Sequence, residues 1–505
     1  MTIQPGQSVL PRLGAAQWPT SAYPRGELPE RVMQFGTGML LRALCATAVD
    51  AVNRAGAFQG RIVAVQSTPQ GRGDILNAQD GLFTLVERGL ENGRRVERTR
   101  LVGSISRALV ADGEWPTVRE LVTRPELQII VSNVTEAGFR PDGPFPVRCL
   151  DLLYERFERL PDGPPVFVIP TELVDDNGPR LGAMVDRLAD SRPRAREFRE
   201  WLPNHVRFCS SLVDRITTGT PAPAERAAIE QRLGYTDALL TVTEPSCLWA
   251  IEADPAALSA TFAIDAAPGV IVAPDITPYR ERKLRLLNGA HTALAPLALL
   301  AGVPTVREAA EHPRLGPLLH RVLFEELVPG TDLPADAAAN FAKTVVERFR
   351  NPWLDHQWSV IATNQTAKMR VRVVPSIVGF ATKYGRVPEG LALACAAYLR
   401  YMRTVGEATQ DEGHGWWRGE EYPIHDVDLD RVGRHWGVVD PDRRAASVTG
   451  EALRSLAARA LADAELWGTS LAHLPGFLEA VTRSLLVLER EGADAALAEP
   501  TATLS

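Results

Sequence analysis

Residues 31–43 read RVMQFGTGMLLRA. A short apolar run ends at Phe35, a G-x-G follows at Gly36 and Gly38, and an amphipathic pattern continues through ALCATAVDAVNRAG to Gly56. The order is strand, tight turn, helix. The first glycine permits the turn. The second lets the backbone approach a pyrophosphate, which then sits at the positive end of the helix. The third glycine of the usual dinucleotide fingerprint would fall at Leu41 and is absent. A bare G-x-G is as often a simple turn. Its context makes it a candidate phosphate site: RIVAVQS (61–67), rich in Val and Ile, supplies a second strand inside the first 70 residues.

At the end of such a second strand an acidic residue normally grips the ribose 2′-hydroxyl of NAD. Here stand Gln66, Ser67 and Thr68, and the nearest arginine is Arg72. Gln66 can hydrogen-bond a ribose hydroxyl, and nothing adjacent offers an obvious phosphate clamp. The reading favours NAD and leaves NADP open. The residues assigned to the cofactor are Phe35, Gly36, Thr37, Gly38, Met39 and Leu40 around the turn, then Gln66, and Asn133 in IIVSNVT.

Working outward, LQIIVSNVT (127–135) and PVFVIP (165–170) read as further strands, and HVRFCSSLVDRI (205–216) as strand and loop. Strands alternating with helical patterns predict a parallel sheet covered on both faces, hence an α/β, Rossmann-type N-terminal domain. Beyond APGVIVAPDITPYRERK the apolar spacing turns helical almost to the end, in LRLLNGAHTALAPLALLAG, LGPLLHRVLFEEL, AANFAKTVVERFR, ALACAAYLRYMRTVG, ALRSLAARALADAELWG and FLEAVTRSLLVLERE. A mostly α-helical C-terminal domain is expected. Pro268, Pro274 and Pro278 mark the junction, with domains at 1–275 and 276–505. An Ala/Thr-rich tail follows Glu491.

The 505 residues exceed what one core usually serves, which by length alone predicts two domains or three. A net charge of −7 argues against general nucleic-acid binding, though a local basic pocket for an acidic small molecule stays open. MTIQPGQSVLPRL lacks the pattern of a secretory signal, and the most apolar stretch, Thr292 to Val303, is too short to span a bilayer. Cys45, Cys149, Cys209, Cys247 and Cys395 form no C-x-x-C pair, so buried thiols in a reducing cytoplasm are expected, with no thiolate metal site. His414 and His425, with Glu420 and Glu421 between them, do not have a metal-ligand spacing either.

The decade Lys283 to Thr292, KLRLLNGAHT, places a lysine, an asparagine and a histidine in an apolar setting. On a regular α-helix Asn288 lies about 140° and His291 about 80° round from Lys283, within a rise of roughly 12 Å. Hydride transfer between a carbinol and a ketone needs a proton donor or acceptor and a stabilised oxyanion. Lysine, asparagine and histidine can supply these without a metal. Equally, Lys283 can be a solvated base in RERKLR, Asn288-Gly289 a helix interruption, and His291 a satisfied core histidine.

With their neighbours, these stretches resemble the polyol-specific long-chain dehydrogenases, the mannitol dehydrogenase family. RVMQFGTGMLLRA, GLFTLVERG, IIVSNVTEAGF, VIPTELVDDNG, SLVDRIT, ITPYRERKLRLLNGAHTA, RFRNPWLDHQW and NQTAKMRVRVVPS occur in family order between about residues 30 and 380. The resemblance implies a metal-free NAD(P)-dependent oxidoreductase with a Rossmann-type domain and a helical domain. It implies Lys283 as general acid/base, Asn288 and His291 as holders of the reacting oxygen, and Asp214 as an active-site residue. SNVTEAG, TELVDDNG and LLNGAHTA point to the uronate branch, and so do Glu172-Leu173, where mannitol-type members carry Asp-Asn. The expected partner is a small hexuronate or ketose, D-tagaturonate foremost, with no nucleic acid or membrane and a monomeric or homodimeric state.

A hexuronate carries a carboxylate, which favours a cationic partner. AKMRVR supplies Lys368, Arg370 and Arg372. Extended, all three share a face; helical, Lys368 and Arg372 align. Lys368 matches the family position and is assigned to substrate. Arg370 and Arg372 can equally form a solvated face, and His425 is a candidate for the edge of the site.

Overall fold

The structure, a computed structural model, describes residues 10–135, 137–440 and 448–498. The start of the stretch read for a signal and the end of the Ala/Thr-rich tail lie outside them. The chain divides into two compact units, residues 1–89 with 95–279, and residues 90–94 with 280–505.

The first unit is built on a six-stranded parallel sheet of β1 (Glu30–Phe35), β2 (Arg61–Gln66), β3 (Ile105–Val110), β4 (Ile129–Ser132), β5 (Val166–Pro170) and β6 (Val206–Phe208). Its order is β3-β2-β1-β4-β5-β6. The order reverses between β1 and β4, the switch point at which such sheets bind ligands. Strand residues alternate between two cores. Val32, Ile62, Ala64, Ile129 and Val131 pack with Leu41, Leu44, Val49 and Val52 of the helix at 39–54. Met33, Phe35, Val63, Val65 and Ile130 pack with Leu150, Leu153 and Phe157 of the helix Pro144–Arg159. Both faces are thus buried, which is why the strands read as continuous apolar runs.

Beside this sheet the sequence reading passed over smaller ones. Strands Phe83–Glu91 and Arg94–Val102 join Thr217–Gly219 and Thr241–Thr243 in a four-stranded sheet. The turn between the first two is Asn92-Gly93, both at positive φ (51° and 72°), a strong hairpin signal.

The second unit is helical, as expected. Every residue from Gly390 to Tyr401 is buried, so this helix is surrounded by others. It shares one core with the helix Gly289–Leu300 and the helix Phe477–Glu491. The expectation of helix almost to the end needs correction. Thr404–Val405, Glu412–Trp417 and Glu420–His425 form a three-stranded antiparallel sheet, turned at Arg418 (φ 49°) and Gly419 (φ 94°). The Ala-rich tail, in turn, contains a short helix, Ala493–Ala498. Four of the five cysteines are buried, and among the described residues no helix is long and apolar enough to cross a membrane.

Candidate active site

The C-terminal ends of β1, β2 and β4 meet in register, with Phe35 opposite both Val65 and Ser132. Just beyond them Gly36 adopts φ +123°, and a Cβ there would come within 3.1 Å of the Asn133 carbonyl oxygen. Glycine is required on both counts. At Gly38 a Cβ would meet nothing within 4 Å, so the backbone is open where the helix begins. Thr37 between them is anchored: its carbonyl accepts from Arg42 Nη1 (2.7 Å), and its Oγ1 accepts from the Arg72 amide (3.2 Å). Arg42 lies buried beneath the turn, its pKa pushed down to about 10 by that burial.

A cavity of 270 Å³ opens here, lined among others by Gly36, Thr37, Gly38, Gln66 and Asn133. Phe35 lies outside it, buried edge to face against Phe145 with centroids 5.1 Å apart, and its carbonyl accepts from the Asn133 amide (3.0 Å). The side chains of Met39 and Leu40 are not part of the lining either. Gln66 is committed to its own loop. Its Nε2 donates to the Thr68 and Pro69 carbonyls (2.9 and 3.3 Å), and its Oε1 accepts from the Gly73 amide (2.8 Å). The open glycine backbone, the helix start and the buried Ser67 Oγ, which has no hydrogen-bond partner in the protein, fit a phosphate-bearing nucleotide.

The opposite wall rests on Glu172. Its carboxylate accepts from the Val134 amide (2.8 Å) and Ser132 Oγ (3.1 Å), while burial pushes its pKa up. Asn133 Nδ2 donates to the carbonyl and hydroxyl of Thr171 (3.2 and 3.1 Å). Leu173 is exposed. Asp214 ends the strand Ser211–Asp214, buried and opposite Leu248. Its neighbour Arg215 forms a buried ion pair with Glu87.

In the second unit, Lys283 through Asn288 form a π-helical turn that runs into the α-helix Gly289–Leu300. The regular α-helix assumed from the spacing is therefore corrected. A π turn bonds residue i to i+5, so Asn288 comes round nearer to Lys283 than α-helical geometry gives. His291 is buried, its ring 4.2 Å from that of Phe349 and 6.1 Å from Trp358. Burial first, then His356, Arg348 and Arg372, hold its pKa well below the ordinary value and keep the imidazole neutral.

AKMRVR is helical, not extended: Gln365–Lys368 leads into a π turn at Met369–Val373. Lys368 Nζ donates to the Ile361 carbonyl (2.8 Å), and its pKa is lowered by burial and then by Arg372. Arg372 Nη1 donates to Thr292 Oγ1 (3.4 Å). Arg370 turns elsewhere, to the Leu466 carbonyl (3.0 Å) and Asp428 (3.0 Å). His425 lies exposed in its hairpin, 3.6 Å from Glu412. Arg348 and His356, neighbours of His291, were not found in the sequence. They come from RFRNPWLDHQW, whose motif was visible but whose direction was not.

The Mannitol dehydrogenase Rossmann domain model matches residues 30–263, and the Mannitol dehydrogenase C-terminal domain model matches residues 275–488. The chain belongs to the mannitol dehydrogenase family. It is an oxidoreductase, as members of that family are. Among curated relatives, the altronate oxidoreductase of Klebsiella pneumoniae subsp. pneumoniae is 36% identical over 477 residues, covering 92% of this chain and 95% of the relative. That of Escherichia coli O17:K52:H18 is 35% identical over 486 residues, 93% and 96% of the two chains. Among solved structures, Pseudomonas fluorescens mannitol 2-dehydrogenase, a ternary complex with NAD and D-mannitol, aligns with a TM-score of 0.66 at 24% identity, covering 96% of this chain and 98% of that one. A substrate-free D-sorbitol dehydrogenase aligns at 0.76 and 21% identity, covering 97% and 100%. These two show that the fold extends over nearly all of the chain.

Proposed function

We propose that this family member is an NAD-linked tagaturonate reductase, interconverting D-tagaturonate and D-altronate. The observation that carries the uronate reading is the group of basic side chains around His291, with Arg348 and Arg372 as its cations. Arg348, His356 and Arg372 all depress its pKa, and Lys368 acts in turn on His356. A carboxylate is attracted to such a group, whereas a neutral polyol is not. The altronate oxidoreductases among the relatives support the same substrate class.

In this reading the glycine turn and the start of its helix would hold NADH, which would supply the hydride for the keto carbon. Lys283 gives its ammonium proton to the carbonyl oxygen, and takes it back in the oxidation direction. The Asn288 amide donates a hydrogen bond to the same oxygen and His291 helps to hold it, stabilising its charge as the carbon–oxygen bond becomes single. Asp214 and Lys368 hold the sugar chain.

The test is the fall in NADH absorbance with purified protein and D-tagaturonate, with D-fructuronate and D-fructose in parallel. Oxidation with tagaturonate in preference to the others is expected. Preference for fructuronate would move the assignment within the uronate branch, and preference for fructose would return it to the polyols. NADH binding without turnover on any of them would make the chain a nucleotide-binding protein without catalysis.

A further inference from the structure

The cavity at the glycine turn carries no acidic side chain among the described residues that line it. It carries two arginines, Arg72 and Arg148, and the hydroxyl residues Ser67 and Thr68. All four stand on or against the loop that leaves β2, where a dinucleotide's adenosine ribose is held in this fold. An NAD-selective site keeps a carboxylate here, which bonds the ribose hydroxyls and repels a 2′-phosphate.

The loop is shaped to bring Arg72 back to that position. Gln66 ties down both of its ends through Thr68, Pro69 and Gly73. A Cβ on Gly71 would lie 2.2 Å from Gln66 Cδ, so the backbone packs directly on the carboxamide. The Arg72 amide then bonds to Thr37 in the glycine turn. The residue is exposed and its guanidinium has no carboxylate partner among the described residues. Arg148 braces the loop from the other side, donating to the Ser67 carbonyl (3.0 Å) and to Asp112 (2.7 Å). Ser67 Oγ is buried without a hydrogen-bond partner in the protein. An anion with several acceptor oxygens would satisfy both it and Arg72.

We infer that Ser67 and Arg72 form a receptor for the 2′-phosphate of NADP(H), so that the enzyme accepts both dinucleotides. The inference rests on the dinucleotide reading above. It departs from the expectation, drawn from the sequence, that no phosphate clamp lies near. The physical basis is a charge-assisted contact that NADPH gains and NADH lacks, with no carboxylate among the described lining residues opposing it.

The test is equilibrium binding, measured by nucleotide fluorescence and by calorimetry, with NADH, NADPH and adenosine 2′,5′-bisphosphate. NADPH is expected to bind within tenfold of NADH or tighter, and the bisphosphate to compete. Arg72→Gln should weaken NADPH and the bisphosphate at least tenfold while NADH stays within threefold. Ser67→Asp, which restores the missing carboxylate, should reject NADPH and keep NADH. NADH binding with NADPH more than tenfold weaker, or an Arg72→Gln variant that weakens both alike, would overturn the receptor while leaving the dinucleotide reading intact. Failure of both dinucleotides to bind a folded protein would instead remove that underlying reading, and the receptor with it.

Discussion

The rings of His291 and His356 meet edge to face with centroids 5.4 Å apart, and both histidines are held below their ordinary pKa, chiefly by burial. The unfolded chain protonates them as the pH drops through about 6.5, while the native state resists. Stability from this pair is therefore complete above that value and is lost as the pH falls toward the lower native pKa. Glu326 works the other way. Burial raises its pKa to about 7, although it accepts from the Gly390 and Leu391 amides, so its contribution is lost as the pH rises through that value. His291→Gln removes one buried titrating ring. Its urea midpoint should consequently fall less than the parent's between pH 7.0 and pH 5.5. The slope removed should be up to about 1.4 kcal/mol per pH unit. Identical pH profiles would show that His291 titrates normally.

Lys283→Ala tests the proton donor. General acid catalysis by a placed side chain is typically worth about 10²- to 10⁴-fold, so kcat should drop within that range. NADH affinity should stay nearly unchanged. Lost NADH binding with normal turnover at saturation would place the lysine at the nucleotide instead.

The two glycines of the turn should separate. Gly36→Ala introduces a side chain at φ +123° and 3.1 Å from the Asn133 oxygen, so both melting temperature and nucleotide affinity should fall. Gly38→Ala meets no atom within 4 Å. It should leave the melting temperature nearly unaltered and weaken NADH alone, because the new methyl occupies the approach to the backbone. A destabilised Gly38→Ala with intact affinity would contradict this use of the open face.

Arg370 and Arg372 stand two residues apart and should behave differently. Arg370 is paired with Asp428 and bonded to a carbonyl, so Arg370→Gln should cost about 1–2 kcal/mol of stability with little change in KM. Among the described residues the Arg372 guanidinium donates only at 3.4 Å, to the Thr292 hydroxyl. Arg372→Gln should raise the KM for a uronate about tenfold or more, the worth of a charge-assisted hydrogen bond. The KM for an uncharged ketose should not change. Equal losses on both substrates would assign Arg372 to the helix rather than to the carboxylate.

Much of this was legible in order along the chain. Apolar runs of four to six residues gave the main strands because a sheet buried on both faces needs little else. The Gly36 turn was legible because positive φ is a local steric property. The hairpin turns at Asn92-Gly93 and Arg418-Gly419 carried an equally local signal, but one strand of each, Arg94–Val102 and Glu412–Trp417, is half exposed or more and lacks a continuous apolar run. The π turns were hidden, since they follow from how a helix packs and have no composition of their own.

By itself the sequence determined the two-part architecture and the glycine turn. Each depends on periodicity, or on one residue's conformational freedom. Only the tertiary structure decided that Gln66 is spent inside its loop, that Arg72 returns to the cavity, and that Arg348 and His356 gather at His291. Those placements depend on where loops and distant helices come to rest. No spacing along the chain encodes that, because it is set by hydrogen bonds and packing between residues far apart in sequence.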